Sequence, residues 1–244
     1  KVLTDIEFKR FSGKNTIEVV HDNKKQTFTF DEILISTGRI LNTEDLGLDA
    51  AGIKLEPNGK INANKKLQTT NSNVYVCGDI AGGPQFTHAA EVHAKVVIGN
   101  MLSPLKKSVT YDDFAWVTYT TPEVATFGLS EKQINERRIS YETVTSSLKK
   151  DDRAITKGAT DGMAVLHISK DRLVGGTIVA EHAGEIIQEL ILATHQKISV
   201  NNIFSKVYPY PVASRINKAT IASHMEKKLT PQAKQILKTL YSIL

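Results

Sequence analysis

The chain has 244 residues, 41% of them hydrophobic and 23% charged, a composition typical of a soluble globular protein of one large or two ordinary domains. No apolar run approaches the ~20 residues that a membrane-spanning helix needs. The single cysteine, Cys77, excludes an intrachain disulfide and a cysteine-based zinc site, so no metal site is expected. One thiol in so long a chain favours a reducing, cytoplasmic location.

The net charge of +5 is concentrated at one end of the chain. From Lys206 onward there are seven Lys or Arg residues and one acid, Glu226, so that residues 1–205 sum to −1. These basic residues are spread over two predicted helices without interleaved aromatic residues. That pattern favours a solvated helix face over a surface for a polyanion or a membrane, so neither a nucleic acid nor a membrane is expected as a partner.

The first part of the chain reads as strands followed by one helix. Apolar and polar residues alternate over residues 1–30, which predicts a three-stranded meander. The unbroken apolar run at 32–36 predicts a buried strand, and a second buried strand is predicted at 73–79. A glycine-containing loop then leads to a helix predicted over 87–102, with Thr87 as its N-cap.

In residues 111–244 strands and helices are mixed without strict alternation. This predicts an α+β fold with an antiparallel sheet. The predicted strands are 114–120, 124–128, 142–147, 162–168 and 173–180, and the predicted helices are 130–138, 184–196, 213–227 and 231–243.

The stretch that follows the second buried strand carries the clearest chemical signal. Gly78 and Asp79 would lie at the carboxyl end of a sheet, where open α/β sheets bind their ligands. Asp79 could accept hydrogen bonds from ligand hydroxyls, and the next helix would direct free N–H groups at negative charge. Alternatively, Asp79 only caps or stabilises the turn.

Four stretches in the same order resemble the C-terminal half of the FAD-dependent pyridine nucleotide-disulfide oxidoreductases, a family that includes dihydrolipoamide dehydrogenase, glutathione reductase and mercuric reductase. The resemblance covers residues 5–226. It implies the end of a nicotinamide-binding domain at 1–40, a returning segment of the FAD domain at 41–108 and a homodimerising interface domain at 109–244. The four stretches are DEILISTGRILN, NVYVCGDIAG, TTPEVATFGLSE and LVGGTIVAEHAGEIIQELILATHQKISVNNI.

The resemblance also assigns cofactor contacts to this chain. Asp79, after Gly78, would hydrogen-bond the ribityl chain of FAD, and Thr87, His88 and Ala89 would lie beside the flavin pyrimidine ring. Gly38 and Arg39 would lie close to both cofactors. A histidine on a helix is usually an ordinary core or surface residue, so for His88 only a backbone contact is expected, and His93 is expected to have no catalytic role.

The same resemblance implies that part of the machinery lies upstream of Lys1. The chain contains no GxGxxG motif, so the glycine-rich cofactor loops and a redox-active cysteine pair are expected in a longer parent protein. In that parent, FAD and NAD(P)H would carry electrons to an acceptor. The fragment alone is expected to bind neither cofactor tightly and to be inactive, and its alternative function is that of a non-catalytic dimerisation module.

The stretch VYPYPVASR (207–215) departs from the family's disulfide-reducing members. Tyr210-Pro211 stands where they have His-Pro, and Arg215 stands where they have a glutamate. A phenol with a pKa near ~10 is a poor base at neutral pH, so thiol chemistry through Tyr210 is doubtful. We expect a cis Tyr210–Pro211 bond and a phenol that crosses the dimer interface as a hydrogen-bonding group. Alternatively, the loop is only a structural kink.

Overall fold

The computed structural model describes residues 1–228 and 230–241. Its described strands form two antiparallel sheets, one of three strands in the order β1-β2-β3 and one of five in the order β4-β5-β8-β7-β6. The strands are β1 (Glu7–Phe11), β2 (Thr16–His21), β3 (Lys24–Thr29), β4 (Ala115–Thr118), β5 (Glu123–Gly128), β6 (Glu142–Ser147), β7 (Met163–Ser169) and β8 (Arg172–Ala180). The α+β class expected from the sequence is confirmed.

The three-stranded meander predicted for the start of the chain is also confirmed. Residues Asp22 and Asn23 form a two-residue turn between β2 and β3, and both have positive φ, at 51° and 58°. Aspartate and asparagine tolerate this backbone region better than other residues with a Cβ, which explains why the hairpin turns there.

The two buried strands predicted at 32–36 and 73–79 are wrong. Leu34 is 91% exposed and Ile35 is 63% exposed, and no regular strand forms over 32–36. Residues 73–79 contain only an isolated bridge, between Tyr75 and Gln68. An apolar run becomes a strand only where a neighbouring segment pairs with its backbone over several residues. Within the described chain 32–36 has no such neighbour, and 73–79 pairs only with the short segment 67–69.

The segment after residue 73 leads through a short turn into the predicted helix. Asp79–Ala81 forms a single 3-10 turn, and α1 spans Thr87–Leu102. The prediction of Thr87 as N-cap is wrong, because Phe86 occupies that position with extended backbone and Thr87 is the first helical residue. Phe86 has no side-chain oxygen to accept the hydrogen bond that a Ser, Thr, Asp or Asn cap accepts.

The second part contains all five predicted strands, within two residues of their predicted bounds. The helix predicted at 184–196 is interrupted at Ile187. Two short helices that the sequence pattern did not predict form at Asp152–Lys157 and Val200–Ser205. The described helices are α2 (Glu131–Glu136), α3 (Asp152–Lys157), α4 (Ala183–Ile186), α5 (Gln188–His195), α6 (Val200–Ser205), α7 (Arg215–Lys227) and α8 (Pro231–Tyr241). Residues 242 and 243 of the last predicted helix lie outside the described residues.

The main hydrophobic core lies between the five-stranded sheet and the helices that cover it. Phe127 of β5 and Ile178 of β8 are fully buried on the sheet, and they share this core with Leu190 of α5 and Ile221 of α7. Burial of large apolar side chains is the dominant stabilising contribution to such a domain. The core fixes the positions of α5 and α7, between which the Tyr-Pro loop runs.

Ion pairs hold the basic helix α7 against the edge of this sheet. Glu142 on β6 accepts a hydrogen bond from Nδ1 of His224 at 2.7 Å and pairs with Lys227. These partners lower the pKa of Glu142, Lys227 contributing most. Asp171, in the turn between β7 and β8, pairs with Lys228, which together with Ser199 lowers its pKa. Part of the basic excess of the chain is therefore neutralised inside the fold.

No described helix is long and apolar enough to cross a membrane. Within residues 1–228 and 230–241 there is also no group of three or more His, Cys, Asp or Glu side chains placed to hold a metal ion.

Candidate functional site

The structure brings together two of the predicted cofactor-binding segments. Nη1 of Arg39 donates to Oδ2 of Asp79, and the two side chains form an ion pair across 40 positions of sequence. The other carboxylate oxygen of Asp79, Oδ1, has no hydrogen-bond partner among the described residues. Arg39 therefore orients the carboxylate while one acceptor oxygen stays open to a ligand hydroxyl.

The turn that carries Asp79 depends on glycine. Gly78 has φ 83° and ψ −156°, a conformation that residues with a Cβ rarely adopt. A Cβ built on Gly78 would lie 3.7 Å from the Cβ of Ala90, so the turn packs directly on the first turns of α1. Gly78 thus sets the direction of the chain at the residue that presents its carboxylate.

A buried histidine, His93 on α1, fixes this turn. The N–H of Gly78 donates to Nδ1 of His93 at 3.0 Å, and Nε2 of the ring lies 2.6 Å from the hydroxyl of Tyr111. Because Nδ1 accepts a hydrogen bond, the ring proton is on Nε2, which donates to the Tyr111 oxygen. His93 is fully buried, and its burial lowers its pKa, which keeps the ring neutral.

Tyr111, which precedes β4, contacts the loop that contains Gly82 and Gly83. A Cβ on Gly83, which has φ 86°, would lie 2.7 Å from the Tyr111 hydroxyl, so only glycine allows the phenol to come so close. Burial raises the pKa of Tyr111. The chain Gly78–His93–Tyr111 therefore ties the Asp79 turn, helix α1 and residue 111 into one hydrogen-bonded unit.

The N-terminus of α1 has backbone N–H groups that make no hydrogen bond within the described chain. The backbone N–H groups of Thr87 and His88 have no acceptor among the described residues, while those of Ala89 and Ala90 bond to the carbonyl of Phe86. These free N–H groups and the positive end of a 16-residue helix favour negative charge. Thr87, His88 and Ala89 thus lie where the sequence predicted an anion-stabilising element.

The side chain of His88 serves the packing of this helix end. Its Nε2 donates to the carbonyl of Ala115 on β4 at 2.7 Å, and its ring stacks on Phe114 with centroids 4.6 Å apart. Phe86 in turn stacks on Trp116 at 6.5 Å. This aromatic cluster attaches the start of α1 to β4 and the residues before it. The expectation of only a backbone role for His88 toward a cofactor stays a prediction.

A groove of about 980 Å³ runs from the start of α1 to helix α5. Thr87 and His88 lie at one side of it, and Gln188 and Ile191 of α5 lie at the other. Tyr119, which is 82% exposed, borders the groove as well. The start of α1 therefore opens onto a groove that α5 borders on the other side.

The two tyrosines of the Tyr-Pro loop have different surroundings. Tyr208 is only 6% exposed, and its hydroxyl donates to Oε1 of Glu189 at 2.7 Å. Burial, followed by the Glu189 carboxylate, raises the pKa of Tyr208. Tyr210 is 67% exposed, and its hydroxyl has no hydrogen-bond partner among the described residues. Tyr208 therefore attaches the loop to α5, and Tyr210 lies exposed on the surface.

Glu189 on α5 is the centre of this anchor. Besides the Tyr208 hydroxyl, Oε1 accepts a hydrogen bond from Nδ2 of Asn217 at 2.7 Å, and Oε2 pairs with Lys206. The Tyr210–Pro211 bond is cis, as expected, and the Thr121–Pro122 bond is cis as well. Glu189, Tyr208 and Tyr111 were not predicted as site residues from the sequence, because their importance depends on partners 18–28 residues away.

The residue that replaces the family's glutamate lies over the exposed tyrosine. The guanidinium carbon of Arg215 is 5.4 Å from the ring centroid of Tyr210, within the range of a cation–π contact. An arginine in this position cannot accept a proton or a hydrogen bond. The pair therefore has the chemistry of a binding surface and not that of an acid–base dyad.

The donor and acceptor set at the Asp79 turn fits one side of a flavin nucleotide. Asp79 offers an open carboxylate oxygen to a hydroxyl, and α1 offers two free N–H groups to negative charge. Gly78 and Gly83 both have positive φ, and neither places a side chain beside the turn. The donors and acceptors of these residues are thus of the kind that a flavin nucleotide needs, and the contacts that the resemblance assigned to Asp79 and to the start of α1 stay a prediction.

Two family models match this chain. The family model described as the pyridine nucleotide-disulphide oxidoreductase dimerisation domain matches residues 114–221. A second model, described as pyridine nucleotide-disulphide oxidoreductase, matches residues 1–94. Together the two matches include the Asp79 turn, the first half of α1 and the five-stranded sheet.

Curated relatives cover most of this chain. The mercuric reductase of Staphylococcus aureus is 33% identical over 202 residues, which are 82% of this chain and 37% of that protein. The mitochondrial dihydrolipoyl dehydrogenase of Homo sapiens is 33% identical over 217 residues, or 88% of this chain and 42% of that protein. The chain thus spans about two fifths of the length of these relatives.

Solved structures share the fold. The HOCl-induced flavoprotein disulfide reductase RclA from Escherichia coli superposes with a TM-score of 0.75 at 22% identity, covering 86% of this chain and 48% of that one. LpdA from Mycobacterium tuberculosis gives a TM-score of 0.78 at 21% identity, covering 87% and 47%. With its two family matches and its curated relatives, this chain belongs to the pyridine nucleotide-disulphide oxidoreductase family.

Proposed function

We propose that the chain is the C-terminal portion of a flavoprotein oxidoreductase that passes electrons from NAD(P)H through FAD to an acceptor. Members of the family are flavoproteins that use FAD and NAD(P)H. In this proposal residues 1–40 end the nicotinamide-binding domain, 41–108 return to the FAD domain and 109–244 form the interface domain. A cytoplasmic location is part of the same proposal.

One observation carries the proposal: the ion pair between Arg39 and Asp79 beside the free N–H groups at the start of α1. Arg39 holds the Asp79 carboxylate, whose open oxygen would accept a hydrogen bond from a ribityl hydroxyl. The N–H groups of Thr87 and His88 would stabilise negative charge on the pyrimidine side of the flavin. A flavin bound there would supply the exchange of a hydride or of single electrons.

The remaining residues have supporting roles in this proposal. His93 accepts the Gly78 N–H on Nδ1, and burial lowers its pKa, which favours the neutral ring that this hydrogen bond needs. Tyr210, exposed on the interface domain, would reach the acceptor side of the partner subunit in a homodimer. A phenol with no hydrogen-bond partner in the described chain can donate a hydrogen bond or form the wall of a site, but it is a weak base.

A second candidate function is that of a non-catalytic dimerisation module. It is favoured by the self-contained five-stranded sheet and core, which the dimerisation-domain match covers from residue 114 to 221. In this case residues 1–108 would have no catalytic role in the chain as it stands. The two candidates differ in one observable, the presence of a flavin.

Flavin content provides the test. We expect the full-length protein to purify with bound FAD that NADH or NADPH reduces, and the 244-residue chain alone to purify colourless. Asp79→Ala in the full-length protein should weaken FAD retention through the loss of about 1–3 kcal/mol per hydrogen bond to a charged group. Asp49→Ala, at an exposed aspartate of the same segment, is the matched control. A full-length protein without flavin would favour the dimerisation module.

A further inference from the structure

The basic residues of the C-terminal region are not equivalent in the folded protein. Lys206 pairs with Glu189, Lys227 with Glu142 and Lys228 with Asp171. Of the five Lys and Arg residues in 206–228, the other two, Arg215 and Lys218, have no carboxylate within 4.0 Å in the described chain. Two positive side chains of α7 therefore have no carboxylate partner in the described chain.

These two uncompensated residues lie on one face of the helix, beside the Tyr-Pro loop. Arg215 and Lys218 are three positions apart, a spacing that makes residues neighbours on a helix surface. The ammonium of Lys218 lies 3.5 Å from the carbonyl of Lys206, and Arg215 lies over the ring of Tyr210. Lys218 therefore lies beside the residue that precedes the loop, and Arg215 lies over Tyr210 within the loop.

The start of α7 adds to this charge. The first turn of the helix contains no acidic residue, although aspartate and glutamate are favoured at that position. Arg215 is the first residue of the helix and adds positive charge to its positive end. Such an arrangement costs stability unless a negative group compensates it, and no carboxylate of the described chain reaches Arg215.

We propose that Arg215, with Lys218 and the face of Tyr210, forms a binding site for an anionic electron acceptor, one that carries a carboxylate or phosphate group. This assignment rests on the proposed function, since it names the class of acceptor for the same flavoprotein. The guanidinium would bind the anionic group in a bidentate manner, and the exposed Tyr210 ring would contact the apolar part of the acceptor. Arg215 is a specificity-determining residue in this scheme and takes no part in proton transfer.

Two matched pairs of acceptors test the proposal on the full-length, flavin-containing protein. Lipoate and lipoamide share one dithiolane ring, and 3-(1,4-naphthoquinon-2-yl)propanoate and its methyl ester share one quinone that two methylene groups separate from the carboxyl group, so within each pair the anionic substituent is the main difference. We expect a kcat/KM roughly tenfold higher for the anionic member of at least one pair. That preference should disappear in Arg215→Gln, reverse in Arg215→Glu and survive in Arg215→Lys.

A control separates local charge from net charge. Lys132→Gln on α2 removes the same charge from a side chain that is 86% exposed, and it should leave the preference intact. A preference that survives in Arg215→Glu, or equal rates with both members of both pairs, would overturn the assignment. If NADH or NADPH reduces the flavin but the protein turns over neither anionic probe, the assignment is overturned as well.

The proposed function fails in a different way. If neither NADH nor NADPH reduces the bound flavin in a stopped-flow experiment, the electron-transfer function itself is wrong, whatever the acceptors show. If the flavin is reduced at a normal rate and no anionic preference exists, only the assignment of Arg215 is wrong.

Discussion

The N–H of Gly78 donates a hydrogen bond to Nδ1 of His93 across 3.0 Å, and this contact fixes the turn that presents Asp79. The same ring bonds to the hydroxyl of Tyr111 through Nε2. A single neutral imidazole thereby satisfies two polar groups in a buried location, where an unpaired donor or acceptor would cost about 1–3 kcal/mol. Helix α1 thus acts as the scaffold of the candidate cofactor site.

Removal of the His93 side chain should destabilise the protein. His93→Ala leaves a cavity and two polar groups without their partner, and we expect a loss of about 2–4 kcal/mol of unfolding free energy. Urea unfolding measures the change. His182→Asn, at an exposed histidine with φ 57° that asparagine tolerates, serves as the control. Equal stability of the His93 variant and the wild type would contradict the hydrogen-bonded role.

Stability should fall as the pH decreases from about 7.5 to 5.5 because of buried histidines. Burial lowers the folded-state pKa of His93 and of His167 below 6.5, so the unfolded state binds protons more tightly. The contribution of each neutral ring is therefore full above the unfolded-state pKa and decreases as the pH falls toward the folded pKa. Glu142 and Asp171, whose pKa values are lowered, lose their contribution only at more acidic pH.

The variant His93→Gln separates these contributions. A glutamine does not titrate, so the unfolding free energy should depend less steeply on pH over that window than in the wild type. An unchanged slope would show that His93 does not titrate with unfolding.

The two tyrosines of the loop provide a matched pair of substitutions. Tyr208→Phe removes a hydrogen bond to the Glu189 carboxylate and should cost about 1–3 kcal/mol of unfolding free energy. Tyr210→Phe removes an exposed hydroxyl and should change stability by less than about 0.5 kcal/mol. Thermal and urea unfolding of both variants check the difference, and equal losses would contradict the division of roles between the two side chains.

The same Tyr210→Phe variant tests function in the full-length protein. Reduction of the flavin by NAD(P)H should survive, since Tyr210 contacts no residue of the Asp79 turn in the described chain. Turnover with the physiological acceptor should fall. If every turnover rate were unchanged, the loop would be a structural kink only.

The ion pairs between α7 and the sheet should make a modest, salt-dependent contribution. Glu142→Gln removes the partner of Lys227 and His224, and we expect a loss of about 1 kcal/mol that shrinks in high salt. Glu136→Gln breaks an exposed contact of 4.0 Å with Lys132 and should have no measurable effect. Urea unfolding at low and high salt compares the two, and a salt-independent loss at Glu142 would argue against an electrostatic cause.

Residues 109–244 should support a symmetric homodimer. The chain contains a matched dimerisation domain, and large apolar side chains such as Leu192 and Val207 are exposed on it, at 57% and 89%. A closed dimer would bury the same surface of both subunits. Sedimentation velocity at ~10–50 µM should show the dimer, and a monomer over the whole range would contradict the prediction.

The α+β class, the meander at the start and the five strands of the larger sheet can all be predicted from the residue pattern. Alternation of apolar and polar residues is a local pattern, and a strand such as β7 can be read from its own residues. Short motifs in a fixed order carried the family resemblance, and through it they indicated Asp79, Arg39 and Tyr210 as candidate site residues. For the same reason, the replacement of a glutamate by Arg215 can be recognised from the sequence alone.

The partners of these residues follow from the folded chain and not from the residue pattern. The apolar run at 32–36 predicted a buried strand, yet Leu34 is exposed, since pairing depends on a neighbouring strand and not on the run itself. His93 has no special sequence signal, and its role arises because Gly78 and Tyr111 meet at its two nitrogens. Tyr208 and Tyr210 differ for a comparable reason: Glu189 lies 19 positions from Tyr208 and touches only one of the two hydroxyls. Contacts between distant residues are set by packing of the whole domain, which no local pattern contains.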